Sequence, residues 1–278
     1  MRTRFAPSPT GPLHLGHAFS AILAHDMARA AGGEFLLRME NTDLERSRPE
    51  SEALILADLA WLGLDWDGPV HRQSDHLAAY NARLDSLGPR GLIYPCSCSR
   101  GDIRAVLSAP QEGVAHSLYP GTCRGREMAG RQPGDALRLD LDRALAALDP
   151  ETLVFIETGP AHAGVHRVDP EAARRTFGDV VLGRKGDGIV AYFLASAFDD
   201  ADQGITHVIR GEDLFAFTPI QVILQRLLGL PTPVYHHHRL IRDETGKRLA
   251  KRDDARAIRK YRDEGVTPAE IRRLIGLA

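Results

Sequence analysis

His14 and His17 bracket Leu15 and Gly16 directly after an extended, proline-rich run, Arg4-Phe-Ala-Pro-Ser-Pro-Thr-Gly-Pro-Leu. A strand that passes through such a run straight into a helix leaves imidazoles and unsatisfied backbone N–H groups at the helix N-terminus, which is a place to hold phosphate. Near the other end, Gly246-Lys247-Arg248-Leu-Ala250-Lys251-Arg252 is a glycine-led cationic loop offering ammonium groups as point charges and guanidinium as a fork. Closed over the same phosphates from two sides, these groups suit adenylyl transfer, in which a carboxylate attacks the α-phosphorus of ATP and pyrophosphate leaves. Spreading phosphate charge then needs cations and N–H dipoles already in place. Gly246-Lys247-Arg248 lacks the hydroxyl residue and the spacing of a Walker loop.

Other residues carry different chemistry. Cys96-Ser-Cys98 and Tyr119-Pro-Gly-Thr-Cys123 offer thiols and a phenol where a structural zinc site wants four ligands. Spacing alone leaves two readings open, a metal site or free buried thiols. His236-His237-His238 is internal and follows a Pro-x-Tyr strand, so it is not a tag. Glu40 and Arg210 fall at strand ends, where they either pair with each other or face a ligand.

These groups need a frame, and the chain alternates strand and helix in the manner of a parallel sheet covered by helices. Strands are expected over 2–6, 34–40 and 91–95, with helices over 15–31, 49–62 and 74–87, the last opened by Ser74 as N-cap. After Cys96 a stretch rich in Gly, Pro and Arg reads as an insertion, with short strands near 136–140 and 153–158. The βα rhythm returns with a strand over 179–182, a helix over 191–201, a strand over 205–210 and a helix over 214–228. Ligands in such sheets sit at the carboxyl ends of strands where the strand order reverses. Residues 239–262 are net basic, either a phosphate-contacting face or a solvated one.

A chain of 278 residues, 43% apolar and 26% charged, can bury a sizeable core and divide into a main domain with smaller ones. Its net charge of −2 gives no global pull on RNA, so nucleic-acid contacts would be local. There is no apolar signal core and no run long enough to span a membrane, so a cytoplasmic protein is expected. Three cysteines argue against a disulfide scaffold.

With His-Leu-Gly-His ahead and Lys-Arg-Leu-Ala-Lys behind, the chain resembles the class I aminoacyl-tRNA synthetases. Arg-Phe-Ala-Pro-Ser-Pro-Thr-Gly, Leu-Arg38-Met-Glu40-Asn-Thr-Asp43 and Val-Ile-Arg210-Gly-Glu-Asp213 narrow the resemblance to the glutamyl-tRNA synthetases, from Arg2 to about Arg252. Those enzymes continue into a helical anticodon-reading domain, whereas this chain reaches Ala278 about two short helices after the basic loop. In that shortening, and in its C-x-C…Y-x-x-x-C cluster, it is similar to the glutamyl-Q tRNA(Asp) synthetases, which esterify glutamate to queuosine in the anticodon of tRNA(Asp).

The resemblance implies an α/β fold: a class I Rossmann-like parallel sheet with an inserted zinc-bearing α+β subdomain and a short helical C-terminal tail. The expected division is 1–95 and 178–240 as the two catalytic halves, 96–177 as the insertion, and 241–278 as basic loop and tail, with no anticodon-binding domain. It implies glutamate contacts from Arg4, Ala6, Ser8, Glu40, Tyr192 and Arg210. ATP contacts fall to His14, Gly16, His17, His237, Lys247, Arg248 and Lys251, with His14, His17 and Lys251 as the catalytic groups and Mg2+ on the nucleotide. Zinc falls to Cys96, Cys98, Tyr119 and Cys123, with His116 as a spare ligand. Arg248 replaces the family's first motif Lys, Ala250 its Ser, and Asn41 stands where Asp is usual. A monomer is expected, acting on ATP, L-glutamate and the queuosine-bearing anticodon stem-loop. The alternatives are an enzyme charging the terminal adenosine and a silent synthetase-like protein that binds RNA or senses glutamate.

Overall fold

The computed structural model describes residues 1–99, 101–103, 118–186, 189–242 and 256–277. Arg2–Phe5 (β1), Glu34–Met39 (β2) and His71–Arg72 (β3) form a parallel sheet in that order, with Arg4 opposite Leu36. The further strands are Ile93–Cys96 (β4), Ala136–Leu139 (β5), Val154–Glu157 (β6), Gly164–Arg167 (β7), Val181–Gly183 (β8), His207–Gly211 (β9) and Val234–His238 (β10). A second sheet runs β7-β6-β10-β9, parallel except for the β6–β7 pair. The two sheets abut at β1 and β9: Thr206 N donates to Arg2 O at 3.0 Å and Arg2 N to Thr206 Oγ1 at 2.8 Å. Strand order reverses at this seam, and a crevice opens beyond the ends of β1 and β9.

Helix Leu15–Ala30 follows β1 and turns Ala18, Phe19, Ala21, Ile22, Ala24 and Ala28 inward. Small alanines let it lie close against β1, while Phe19 and Ile22 fill the space toward the tail helices through Ile258, Ile271 and Ile275. A second apolar core is built around helix Thr218–Leu227 and helix Tyr192–Asp202. The cysteine segment has only a small cluster of its own, Tyr94, Cys96, Tyr119, Cys123 and Ala136.

Three expectations change. The strands read near 91–95 and 179–182 leave the parallel sheet and instead flank β5 in an antiparallel sheet, β4-β5-β8. Val154–Glu157, read within the insertion, pairs with β10 in the main sheet through Tyr235 and Glu157. Ser74 does not cap a helix: its N–H donates to Asn41 Oδ1 and its hydroxyl accepts from Asn41 Nδ2, each at 2.9 Å. With Ser74 so engaged, a 3-10 turn over Gln73–His76 precedes helix Leu77–Asp85. Among the described residues no helix is long and apolar enough to cross a membrane.

Candidate active site

A cavity of about 380 Å³ lies at the β1–β9 crevice, a size suited to a small molecule. Arg4, Ala6, Ser8, Glu40, Tyr192 and Arg210 all line it, joined by His17, Thr10, Ser20 and Leu214. The sequence-derived glutamate residues therefore share one wall system, although they come from β1 and the segment after it, the end of β2, β9 and helix Tyr192–Asp202. Glu40 and Arg210 do not pair with each other: Arg210 bonds elsewhere, and the Glu40 side chain makes no hydrogen bond or ion pair among the described residues.

Behind Arg4 lies a buried charge network that sequence reading missed. Arg4 Nε donates to Asp200 Oδ1 at 2.9 Å, and Arg38 Nη2 donates to the same oxygen at 2.7 Å. Asp199 accepts from Gln73 at 2.8 Å and from Tyr80 at 2.5 Å, and meets His71 at 3.0 Å. Burial works against the Asp200 charge, yet Arg4 and Arg38 hold its carboxyl below the usual range. Glu40 has no such partner. Burial pushes its carboxyl up to about 7 despite the attraction of Arg38 and Arg4, helped by repulsion from Asp200 and Asp199. The only sequence signal for the network was Asp199-Asp200 on a helix otherwise buried through Phe198, where acids without partners are too costly.

Arg210 is clamped from behind. It donates from Nε to His237 Nε2 at 2.9 Å, from Nη1 to Gln221 Oε1 at 2.5 Å, and from Nη2 to Thr218 Oγ1 at 3.0 Å and Leu214 O at 3.3 Å. His237, expected to contact ATP, is the first of these acceptors. It is 1% exposed, its second ring nitrogen meets Glu157, and it is not among the residues that line the cavity. Burial, with the charge of Arg210, lowers its basicity to about 4. Of its neighbours, His238 bonds Ser20 Oγ at 2.6 Å and His236 meets Thr158 Oγ1 at 3.0 Å.

His14 and His17 cap the helix between them. His14 Nδ1 accepts from Gly16 N at 3.1 Å, and His17 Nδ1 accepts from His14 N at 3.2 Å, a capping box made of two imidazoles with ring centroids 3.7 Å apart. Because Nδ1 accepts in each, the neutral rings carry their proton on Nε2. Gly16 serves by lacking a side chain, since a Cβ there would stand 3.0 Å from His14 Cε1. Ala257 forms a β-bridge to His14, and Ile258 N donates to Leu13 O at 2.8 Å, so the chain returns to this motif at Ala257. Lys247, Arg248, Ala250 and Lys251 lie outside the described residues.

Away from the cavity, Cys96, Cys98 and Cys123 bring their sulfurs within 4.8 Å of one another. Tetrahedral zinc with Zn–S near 2.3 Å requires sulfurs about 3.8 Å apart. Cys98 and Cys123 are 3.5 Å apart, and the Tyr119 hydroxyl lies 3.4 Å from Cys96 Sγ and 3.7 Å from Cys98 Sγ. The three thiols therefore fit zinc in type and spacing, and the Tyr119 hydroxyl lies close enough to them to complete four donors. Burial opposes ionisation of Cys123, but hydrogen bonds led by Tyr119 bring its thiol down to about 6. His116 lies outside the described residues.

The family of class I tRNA synthetases (E and Q), catalytic domain, matches residues 1–129 and 166–278. A glutamyl-Q tRNA(Asp) synthetase of Rhodobacter capsulatus is 61% identical over 284 residues that cover 100% of both chains. One of Nitratidesulfovibrio vulgaris is 42% identical over 98% of this chain and 84% of its own. A crystal structure of a glutamate tRNA ligase from Elizabethkingia meningosepticum in complex with its amino acid superposes with a TM-score of 0.73 at 30% identity. That match covers 91% of this chain but 52% of the ligase, so the chain spans about half of that enzyme. The chain belongs to the glutamyl-Q tRNA(Asp) synthetase family of class I tRNA synthetases.

Proposed function

We propose that the cleft activates L-glutamate with ATP to glutamyl-adenylate without tRNA, and that the glutamyl group then passes to the queuosine base of the tRNA(Asp) anticodon. The observation that carries this reading is the convergence of Arg4, Ala6, Ser8, Glu40, Tyr192 and Arg210 on one cavity with His17 on its wall. Arg4 and Arg210 supply cations for the side-chain carboxylate, and ionised Glu40 accepts from the α-ammonium. The free α-carboxylate attacks the α-phosphorus and pyrophosphate leaves, with the Nε2–H groups of His14 and His17 donating to phosphate. The motif assigns Lys247, Arg248 and Lys251 to neutralising the leaving pyrophosphate, a role supported by the return of the chain to His14 at Ala257. Mg2+, when bound to ATP, supplies further neutralisation. In the second step a queuosine hydroxyl attacks the acyl carbon and AMP departs.

We assign zinc to Cys96, Cys98, Cys123 and Tyr119, where it would cross-link a segment with little core. We further propose 1–95 and 178–240 as catalytic halves around an insertion at 96–177, with the basic loop and helical tail at 241–278, in a monomeric cytoplasmic enzyme. The test is transfer of radiolabelled glutamate to tRNA pools with and without queuosine. Labelling of the queuosine-containing pool alone supports the reading. Equal labelling of both pools would instead indicate charging of the terminal adenosine, and no labelling of either would indicate a silent binder.

A further inference from the structure

The two arginines of the cavity are held by chemically different partners. Asp200 matches the charge of Arg4 across 2.9 Å. Arg210 is bound as firmly, yet all four of its acceptors are neutral: an imidazole, a carboxamide, a hydroxyl and a backbone carbonyl. Among the described residues it makes no ion pair with a carboxylate. Its positive charge therefore reaches the cavity wall with no carboxylate in direct contact.

That state depends on which nitrogen of His237 carries the proton. His237 Nε2 can accept from Arg210 only when the proton is on Nδ1, and Nδ1 faces Glu157 Oε2. Glu157 cannot turn away. Its other oxygen accepts from Gly159 N at 2.6 Å and from His237 N at 2.9 Å, and the residue is 2% exposed. The turn closes this tightly because residue 159 is glycine: a Cβ there would lie 2.1 Å from His237 O and 2.7 Å from Glu157 Oε1. Tyr235 lies parallel to the His237 ring at 5.9 Å, and Phe215 stands edge-on at 5.3 Å, so the imidazole has one orientation.

We propose that Glu157 and His237 form a positioning relay behind Arg210, holding its guanidinium rigid through a neutral acceptor so that its uncompensated charge selects a side-chain carboxylate over a carboxamide. A carboxylate in place of His237 would hold Arg210 equally well but cancel the charge. An apolar residue would leave the charge and lose the orientation. The relay deepens the reading of the cleft as a glutamate site and rests on it.

Two measurements on the full chain test the relay. The first is ATP–pyrophosphate exchange with glutamate and with glutamine. In His237→Leu the KM for glutamate rises about 30-fold with KM for ATP within about twofold, and the preference over glutamine falls by a similar factor. His237→Gln keeps an acceptor for Arg210 and recovers most of the loss. A folded His237→Leu variant with unchanged glutamate KM, or one that loses only kcat, overturns the proposal. The second is nitrogen-15 NMR of the His237 ring. The Nδ1–H tautomer is expected in the wild type at pH 6, with a shift toward Nε2–H in Glu157→Gln. An Nε2–H tautomer in the wild type also overturns the relay, and this holds even if every variant fails to fold. Absence of glutamate exchange in the wild type with the Nδ1–H tautomer intact would sink the reading of the cleft, and the selecting role with it, while the hydrogen bonds from Glu157 through His237 to Arg210 would stand.

Discussion

Arg4 and Asp200 stand 196 positions apart in the chain and meet through a single buried hydrogen bond, Nε to Oδ1 at 2.9 Å. Among the described residues only Nε is occupied, so the terminal nitrogens of Arg4 remain for the cavity. Burial would lower the basicity of this guanidinium, but Asp200 more than offsets that, and Arg4 stays charged.

Arg4→Lys is therefore expected to be nearly as damaging as Arg4→Ala, because an ammonium cannot both hold Asp200 and present a fork to a carboxylate. Both should reduce glutamate-dependent exchange by at least about 100-fold, from a loss of roughly 3 kcal/mol or more. Thermal unfolding should show Arg4→Ala destabilised but folded, since Arg38 still pairs with Asp200 at 2.7 Å. Exchange kinetics within tenfold of wild type in Arg4→Lys would remove Arg4 from the glutamate site.

Glu40 links stability to function with opposite signs. Its folded value of about 7 lies above its ordinary 4.5, so the folded chain holds a proton that the unfolded chain has already released. Stability contributed by this group is present below 4.5 and is lost as pH rises through 7. Glu40→Gln should accordingly be more stable than wild type at pH 8 by about 1 kcal/mol, after discounting for solvent access, and equal to it near pH 4. The same substitution should remove glutamate binding. Wild-type KM for glutamate should fall as pH rises through 7, and melting curves across pH with parallel KM measurements check both halves.

His14 performs two tasks that one substitution can separate. Asparagine is a good N-cap, so His14→Asn should keep the helix within about 0.5 kcal/mol of wild type. It lacks the Nε2–H donor, and exchange should fall about 100-fold. Equal losses in urea stability and in rate would mean that His14 acts only as a cap.

The cysteine cluster predicts one zinc per chain by elemental analysis of protein purified without chelator. Cys98→Ser should lose the metal and lower the melting temperature, with exchange kinetics per folded molecule little changed, because the cluster is remote from the cavity. Tyr119→Phe should bind zinc more weakly but detectably, since three thiols remain within 4.8 Å of one another. Full zinc affinity in Tyr119→Phe would remove the phenol from the ligand set.

Much of the βα order and the helix that starts after His14 were legible in local pattern, and the resemblance carried by the motifs named six of the residues that line the cavity. Spacing left Cys96, Cys98 and Cys123 open between a metal site and free thiols; the resemblance grouped them, and the fold brings their sulfurs within 4.8 Å of one another. What remained hidden depends on contacts between distant segments. No local signal states that Asp200 lies under Arg4, that Glu157 stands behind His237, or that Val154–Glu157 joins the main sheet beside β10. Nor could spacing say that His237 is buried between Arg210 and Glu157, since a histidine in a strand fits a ligand face and a core face equally and only the tertiary positions of those partners place it. Partner choice for buried charge is set where the chain brings segments together, since desolvation penalises an unmatched group according to its final surroundings and not its neighbours in sequence.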